Sequence, residues 1–298
     1  MNRDGMAAFV ERLGHRVVRG ESCYWYDQTS RFCLAFPHSQ PVSPSRAELR
    51  QVFRATRCFG VRFVTHPESS GRASYALMLD DRAYDLDSLS ANSRSKVRRG
   101  LKQCEVLRLD PAFVRIHGHA ANNDTLRRTG FTRDVYNWDR YWDAVAATPD
   151  VEVWGARRQH QLLAYLVAVP VEGCVDILVA RSADDGLRYY PNNALLFTAA
   201  RDLVQRPGIE RILFGLEPLE AVAGVDSFKE SMGFTRRPIR QRIVFHPFAE
   251  RIARARATAR IASALARRRS AGVFWRKLEG LLTFQGTHEA RSGPEQTT

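Results

Sequence analysis

Asp226-Ser227-Phe228-Lys229-Glu230-Ser231-Met232-Gly233-Phe234 reads as a helix closing in a turn, and its two flanking strands set the fold. Phe228 and Lys229 end an amphipathic helix over residues 221–231. Met232-Gly233-Phe234 then leads the chain into a strand at 239–245, because glycine readily takes the left-handed conformation that terminates helices. Upstream, Arg211-Ile212-Leu213-Phe214-Gly215 reads as a buried strand. A lysine just before a glycine turn, beside a central strand, is placed to sit over a cleft. There its charge would stabilise an oxyanion or neutralise a phosphate. The same position also suits a lysine that only complements the helix dipole.

Working outward, the clearest β pattern lies at 151–156, 162–169 and 175–180, with Glu172-Gly173 marking the last turn. Pro191 opens a helix that continues through 194–204. The second half of the chain thus runs β-β-β-α-β-α-β, a mixed α/β layer. A helix at 134–147 carrying Tyr136, Trp138, Tyr141 and Trp142 precedes it. In the first half, 23–26 and 32–36 read as paired strands. Ser45 caps a helix through residue 55, with Glu48 completing a capping box. Strands follow at 61–64 and 73–79. Ser93 is read as the cap of a basic helix ending near Gln103, with Gly100 a mild flaw inside it. A strand at 106–109 and a helix at 112–128 complete this half.

The pattern Phe228-Lys229-x-x-x-Gly233-Phe234 resembles the last helix and strand of acyltransferases of the GNAT superfamily. It looks most like the FemAB branch, whose known members transfer aminoacyl groups from tRNA to amines. Residues 84–102 add a second match, in the order Arg94-x-x-Val97-Arg98-Arg99, which resembles that branch's basic helix opening. The resemblance covers residues 20–247. It implies a GNAT-like α/β fold with a mixed sheet, in tandem: a degenerate half at 1–135, a second GNAT-like domain at 136–247, and a cleft between them for substrates. Residues 248–298 would be a basic amphipathic tail, disordered at its end.

The resemblance also implies roles. Lys229 would stabilise the tetrahedral intermediate and Phe228 would line the same cleft. Strand 175–181, with Val179 and Arg181, would be the splayed strand whose backbone holds the acyl donor. Asp176 is the candidate general base, with Asp226 and Glu217 of similar standing, and Tyr190 the candidate general acid. Asn192 and Asn193 would cap the helix at Pro191 or present amides to a carbonyl or phosphate. Arg94, Arg98 and Lys102 recur at i, i+4 and i+8, hence on one helix face, and would hold the phosphates of tRNA, a nucleotide-linked acceptor or a lipid headgroup. This chain departs from the acetyl-CoA-dependent members. Their Gly-rich phosphate loop is missing, with only Gly186 nearby.

Composition limits the remaining choices. The net charge is +13, and two segments carry most of it. Residues 92–108 hold six basic side chains against Glu105, and 249–298 hold ten against four glutamates. Two local anionic contacts follow from that distribution. Five cysteines without a Cys-x-x-Cys argue against a disulfide framework or zinc site and fit a reducing cytoplasm. Residues 1–20 lack the apolar stretch of a signal peptide, and no run nears the ~20 apolar residues that span a bilayer. His117-Gly118-His119 has no third ligand at fixed spacing. No nucleophilic triad, P-loop or dinucleotide fingerprint is present.

The expectation is a basic, cytoplasmic, bacterial-type transferase moving an acyl or aminoacyl group to an amine. No cofactor is bound permanently. The cosubstrate is acyl-CoA, acyl carrier protein or aminoacyl-tRNA, and 249–284 adds peripheral contact with an anionic membrane. A non-catalytic RNA- or membrane-binding module on the same fold, and a CoA-dependent N-acetyltransferase with an unusual loop, stay open as alternatives.

Overall fold

The computed structural model describes residues 1–28, 31–130, 137–218 and 224–248. Along the chain the elements are α1 (Arg3–Arg12), β1 (Val17–Arg19), β2 (Tyr24–Asp27), β3 (Phe32–Phe36), α2 (Arg46–Thr56), β4 (Gly60–Thr65) and β5 (Arg72–Leu79). The chain continues through α3 (Ala91–Gln103), β6 (Glu105–Arg108), α4 (Pro111–His117), α5 (His119–Arg128) and α6 (Trp138–Ala146). Next come β7 (Glu152–Arg158), β8 (Gln161–Val171), β9 (Cys174–Ser182), α7 (Pro191–Val204), β10 (Arg211–Leu216), α8 (Val225–Ser231) and β11 (Thr235–Phe245). The expected mixed α/β order β-β-β-α-β-α-β is present from β7 to β11.

The chain forms two compact units, each discontinuous in sequence. The larger comprises residues 1–14, 76–215 and 222–237. Its strands lie in the order β5-β10-β9-β8-β7-β6. From β6 to β9 neighbouring strands are antiparallel, and β8 turns into β9 at Glu172-Gly173, both of which have positive φ. Strand β10 returns parallel to β9 after the crossover through α7. Strand β8 is buried at eight consecutive positions from Leu162 to Val169, so its apolar run fills both faces of the sheet. Helix α7 is apolar nearly all round and packs on β7, β8 and α3. Burying Leu195, Leu196, Phe197 and Leu203 contributes about 2 kcal/mol each before entropy is counted.

Among the described residues, the second unit is drawn from 15–75, 216–218 and 238–248. Here β1, β2 and β3 form an antiparallel meander, β3 runs parallel to β4, and β4 pairs antiparallel with β11. Trp25, Val52, Val61 and Phe63 form its core.

Four local expectations change. Ser90, not Ser93, caps α3, and its Oγ accepts the Ser93 N–H at 3.3 Å; with three serines near the helix start, only the backbone angles choose the cap. The single helix expected at 112–128 is two, α4 and α5, meeting at Gly118. Asn192 and Asn193 do not cap α7. Its N-cap is Tyr190, in the left-handed conformation, without a side-chain cap. Helix α1 and strand β1 were not foreseen. Of the expected helix at 134–147, residues 134–136 lie outside the described residues, as do 221–223 of the helix at 221–231 and the whole tail from 249.

Candidate active site

Strand β9 is bulged and then parts from β10. Across β8, Ala168 faces Ile177 but Val167 faces Val179, so Leu178 is the extra residue of a β-bulge. On the other side, β9 pairs with β10 only at Cys174–Arg211, Val175–Ile212 and Asp176–Leu213. Both strands continue, to Ser182 and Leu216, without further pairing to each other. Beyond Asp176 the side of β9 that faces β10 carries no ladder, whereas its pairing with β8 continues to Ser182.

Lys229 stands at the end of β10. Its Nζ donates to the Phe214 carbonyl at 2.9 Å and lies 3.5 Å from Asp226 Oδ1, one turn back on α8. The ammonium is also 4.8 Å from the centre of the Phe214 ring. The Lys229 side chain is only 14% exposed, and burial lowers its pKa, with Asp226 pulling it partly back. Gly215 follows with φ +103°, a backbone conformation that favours glycine, while a Cβ there would make only ordinary contact with the lysine nitrogen at 3.7 Å. The helix end is fixed from below. Tyr84, wholly buried, donates to the Met232 carbonyl at 2.7 Å, and Gly233 at φ +90° packs against its ring. Phe228 is half-buried on the same helix.

The other candidates sort into groups. Asp176 is 3% exposed at the last position where β9 pairs with β10, and its carboxylate receives the Cys174 thiol at 3.6 Å; the carboxylate on Lys229 is Asp226. Val179 is buried one residue after the bulge. Arg181 donates to Asn122 Oδ1 at 3.0 Å. Asn192 donates to Ser182 Oγ at 2.9 Å, and the buried Asn193 to Met232 Sδ at 3.3 Å, tying α7 to the end of α8. Ser182 is a hub the sequence did not signal: its backbone and hydroxyl also engage Thr125 and Arg128 from α5. Glu217 belongs to the second unit and is taken by Ser74 and Arg72.

The basic helix presents one charged face, as expected. Arg94, Ser95, Arg98, Arg99 and Lys102 line a surface hollow of about 490 Å³. Arg94 is tied to Asp87, whereas Arg98, Arg99 and Lys102 have no carboxylate partner among the described residues. Arg99 lies 4.4 Å over the Tyr190 ring, which joins this face to the start of α7. His117 and His119 stack on Phe113 and Trp138, and no cluster of metal-ligating side chains occurs among the described residues. No described helix is long and apolar enough to cross a membrane.

No protein-family model matches this sequence, and no curated protein does. Solved structures do. FemX matches at a TM-score of 0.58 with 13% identity, covering 83% of this chain and 93% of that one. The C-terminal domain of a protein named as a lysylphosphatidylglycerol synthetase, from Agrobacterium fabrum, matches at 0.57 with 16% identity, covering 86% and 91%. L-PGS from Bacillus licheniformis matches at 0.51 with 15% identity, covering 80% and 91%. At such identities the likeness is one of fold alone, the mixed α/β fold that this chain shares with FemX and the other two proteins, and it agrees with the fold class expected from Phe228-Lys229 and Gly233-Phe234.

Proposed function

We propose that this protein is an acyltransferase that moves an acyl or aminoacyl group from an activated ester or thioester to an amine. The observation that carries this reading is Lys229, largely buried over Phe214, at the end of a strand that has parted from its bulged neighbour. Beyond Asp176, β9 has no ladder on its β10 side, and backbone N–H groups facing that side would receive a donor carbonyl. The lysine ammonium supplies positive charge where negative charge develops as a neutral amine attacks. A preorganised site of this kind gains rate from positioning and electrostatics, so no covalent intermediate is required. Asp176 as base, Tyr190 as acid, and Phe228, Val179, Arg181, Asn192 and Asn193 as contacts to donor or acceptor belong to the same proposal. Arg94, Arg98 and Lys102 are proposed to hold the donor's phosphates.

The resemblance to the FemAB branch supports aminoacyl-tRNA as the donor. So does the missing Gly-rich loop, which weighs against acetyl-CoA. The test is a donor panel of acetyl-CoA, long-chain acyl-CoA, acyl carrier protein and bulk aminoacyl-tRNA, read by thermal shift and by transfer to amines. One donor is expected to stabilise the protein saturably. Lys229→Ala is expected to cut turnover about 10²- to 10³-fold, the usual cost of losing one oxyanion donor. Salt-sensitive RNA binding that no donor's chemistry accompanies, unchanged by Lys229→Ala, would favour a non-catalytic binding module instead.

A further inference from the structure

Helix α2, in the second unit, has a face the transfer site does not use. Arg46, Arg50 and Arg54 recur at i, i+4 and i+8, and Arg57 follows in the left-handed cap at φ 53°. All four are exposed, and none has a carboxylate partner among the described residues. The single acid of this helix, Glu48, is turned inward, accepting from Trp25 Nε1 at 2.9 Å and Ser22 Oγ at 3.0 Å. Its charge is therefore spent on the core, and the outer face is left purely cationic. Ala47, Arg50, Gln51, Arg54 and Ala55 line a surface hollow of about 550 Å³.

Exposed aromatic side chains gather at the C-terminal end of this helix. Phe59 is 36% exposed and Phe248 is 70% exposed, the two exposed aromatics among the described residues. They are held beside α2 by a short chain of contacts. The Phe53 ring of α2 stacks on His246 at 5.3 Å. His246 N–H donates to the Phe59 carbonyl at 2.7 Å, and Phe248 N–H donates to His246 Nδ1 at 3.3 Å. Arg31 lies 5.6 Å over the Phe59 ring. The sequence then runs from Phe248 into residues 249–298, with nine arginines and one lysine against four glutamates. Ile252, Ala255, Ala259, Ala262 and Leu265 recur there at helical spacing, and Phe274 and Trp275 follow.

We propose that this face of the second unit, Arg50, Arg54 and Arg57 with Phe59 and Phe248, seats the protein on an anionic lipid bilayer. Guanidinium groups would lie in the headgroup layer and the two phenyl rings just below it. A bilayer is favoured over RNA because exposed phenyl rings beside a row of arginines match the acyl boundary and headgroup layer of one surface. The basic amphipathic pattern that continues past Phe248 points the same way. The proposal is independent of Lys229 and of the transfer reaction.

The test is flotation of the full chain with vesicles of phosphatidylcholine alone, or of phosphatidylcholine and phosphatidylglycerol in equal parts. Binding is expected to the anionic vesicles only, and to weaken with salt. Each surface arginine shifts partitioning about fivefold, so R50Q/R54Q/R57Q is expected to weaken binding about a hundredfold. R50K/R54K/R57K, which keeps the charge, should retain binding. Phe248→Ser should weaken it about tenfold. If the triple glutamine variant binds anionic vesicles like the parent, the proposal fails. It also fails if the chain ignores vesicles and binds mixed-sequence RNA in a manner lost in that variant. Should triple neutralisation upset folding, Phe248→Ser alone decides, and unchanged partitioning overturns the proposal.

Discussion

Lys229 donates from its ammonium group to the main-chain carbonyl of Phe214, 2.9 Å away, so the C-terminal end of β10 and the end of α8 are pinned together by a charged hydrogen bond. This contact positions the lysine, while its buried setting works against its charge. Burial lowers its pKa below the ordinary 10.5, and Asp226 at 3.5 Å opposes that shift.

Activity that needs the charged lysine is lost as pH rises through this lowered value. The alkaline limb of kcat/KM is therefore expected below pH 10.5. In Asp226→Asn the attraction that favours the ammonium is gone, so the limb moves to still lower pH. For stability the sign is the reverse of the usual lysine case. Between the folded value and 10.5 the unfolded chain binds more protons, so stability rises with pH across that window. Lys229→Met should flatten this rise in urea melts. Identical alkaline limbs in the parent and Asp226→Asn would remove Lys229 from the titrating chemistry.

Gly100 should resist substitution. Intrinsic propensity alone makes Gly→Ala in a helix favourable by about 1 kcal/mol. In α3, however, a Cβ at this position would meet the Tyr190 carbonyl at 2.6 Å and the Ala194 Cβ at 2.9 Å. Gly100→Ala is expected to destabilise by about 1–3 kcal/mol through overpacking of α3 on α7, lowering Tm by several degrees. The exposed Gln103→Ala should stay within about 0.5 kcal/mol. A stabilised Gly100→Ala would show that the two helices are not in this close contact.

Glu152 anchors β7 to Arg206 and Arg108. Burial alone would raise its pKa, but the two guanidinium groups outweigh that and hold it below the ordinary 4.5. A depressed carboxylate adds stability that is present above the unfolded value and is lost as pH falls through the folded one. Glu152→Gln is expected to lose about 1–3 kcal/mol at neutral pH and to show a shallower decline between pH 4.5 and the acid transition. Urea midpoints over a pH series measure both effects. Parallel curves for the two proteins would mean that the pair carries no net stability.

Several features were legible because they are local. Glycine at 233 marks the helix end, Glu172-Gly173 the hairpin, and Pro191 the start of α7, since each depends on backbone angles that few residues adopt. The apolar run at 162–169 identified β8 as a strand, and the structure shows it buried on both faces. Lys229 could be singled out from its place before that glycine. Gly100, by contrast, reads in sequence as a flaw and is in the structure a point of close helix contact, because the reason for it lies 90 residues further on at Tyr190.

The sequence by itself determined the order of elements from β7 to β11, the position of the lysine and the two concentrations of positive charge, because propensity, turn chemistry and composition act over a few residues. Only the tertiary structure decided which carbonyl receives Lys229, that Ser182 gathers α5 and α7, that β9 leaves β10 after Asp176, and that Glu48 faces inward so the α2 arginines stand alone. Each of these depends on groups distant along the chain meeting at hydrogen-bond range, where desolvation penalises any polar group left unmatched, and no local pattern records that meeting.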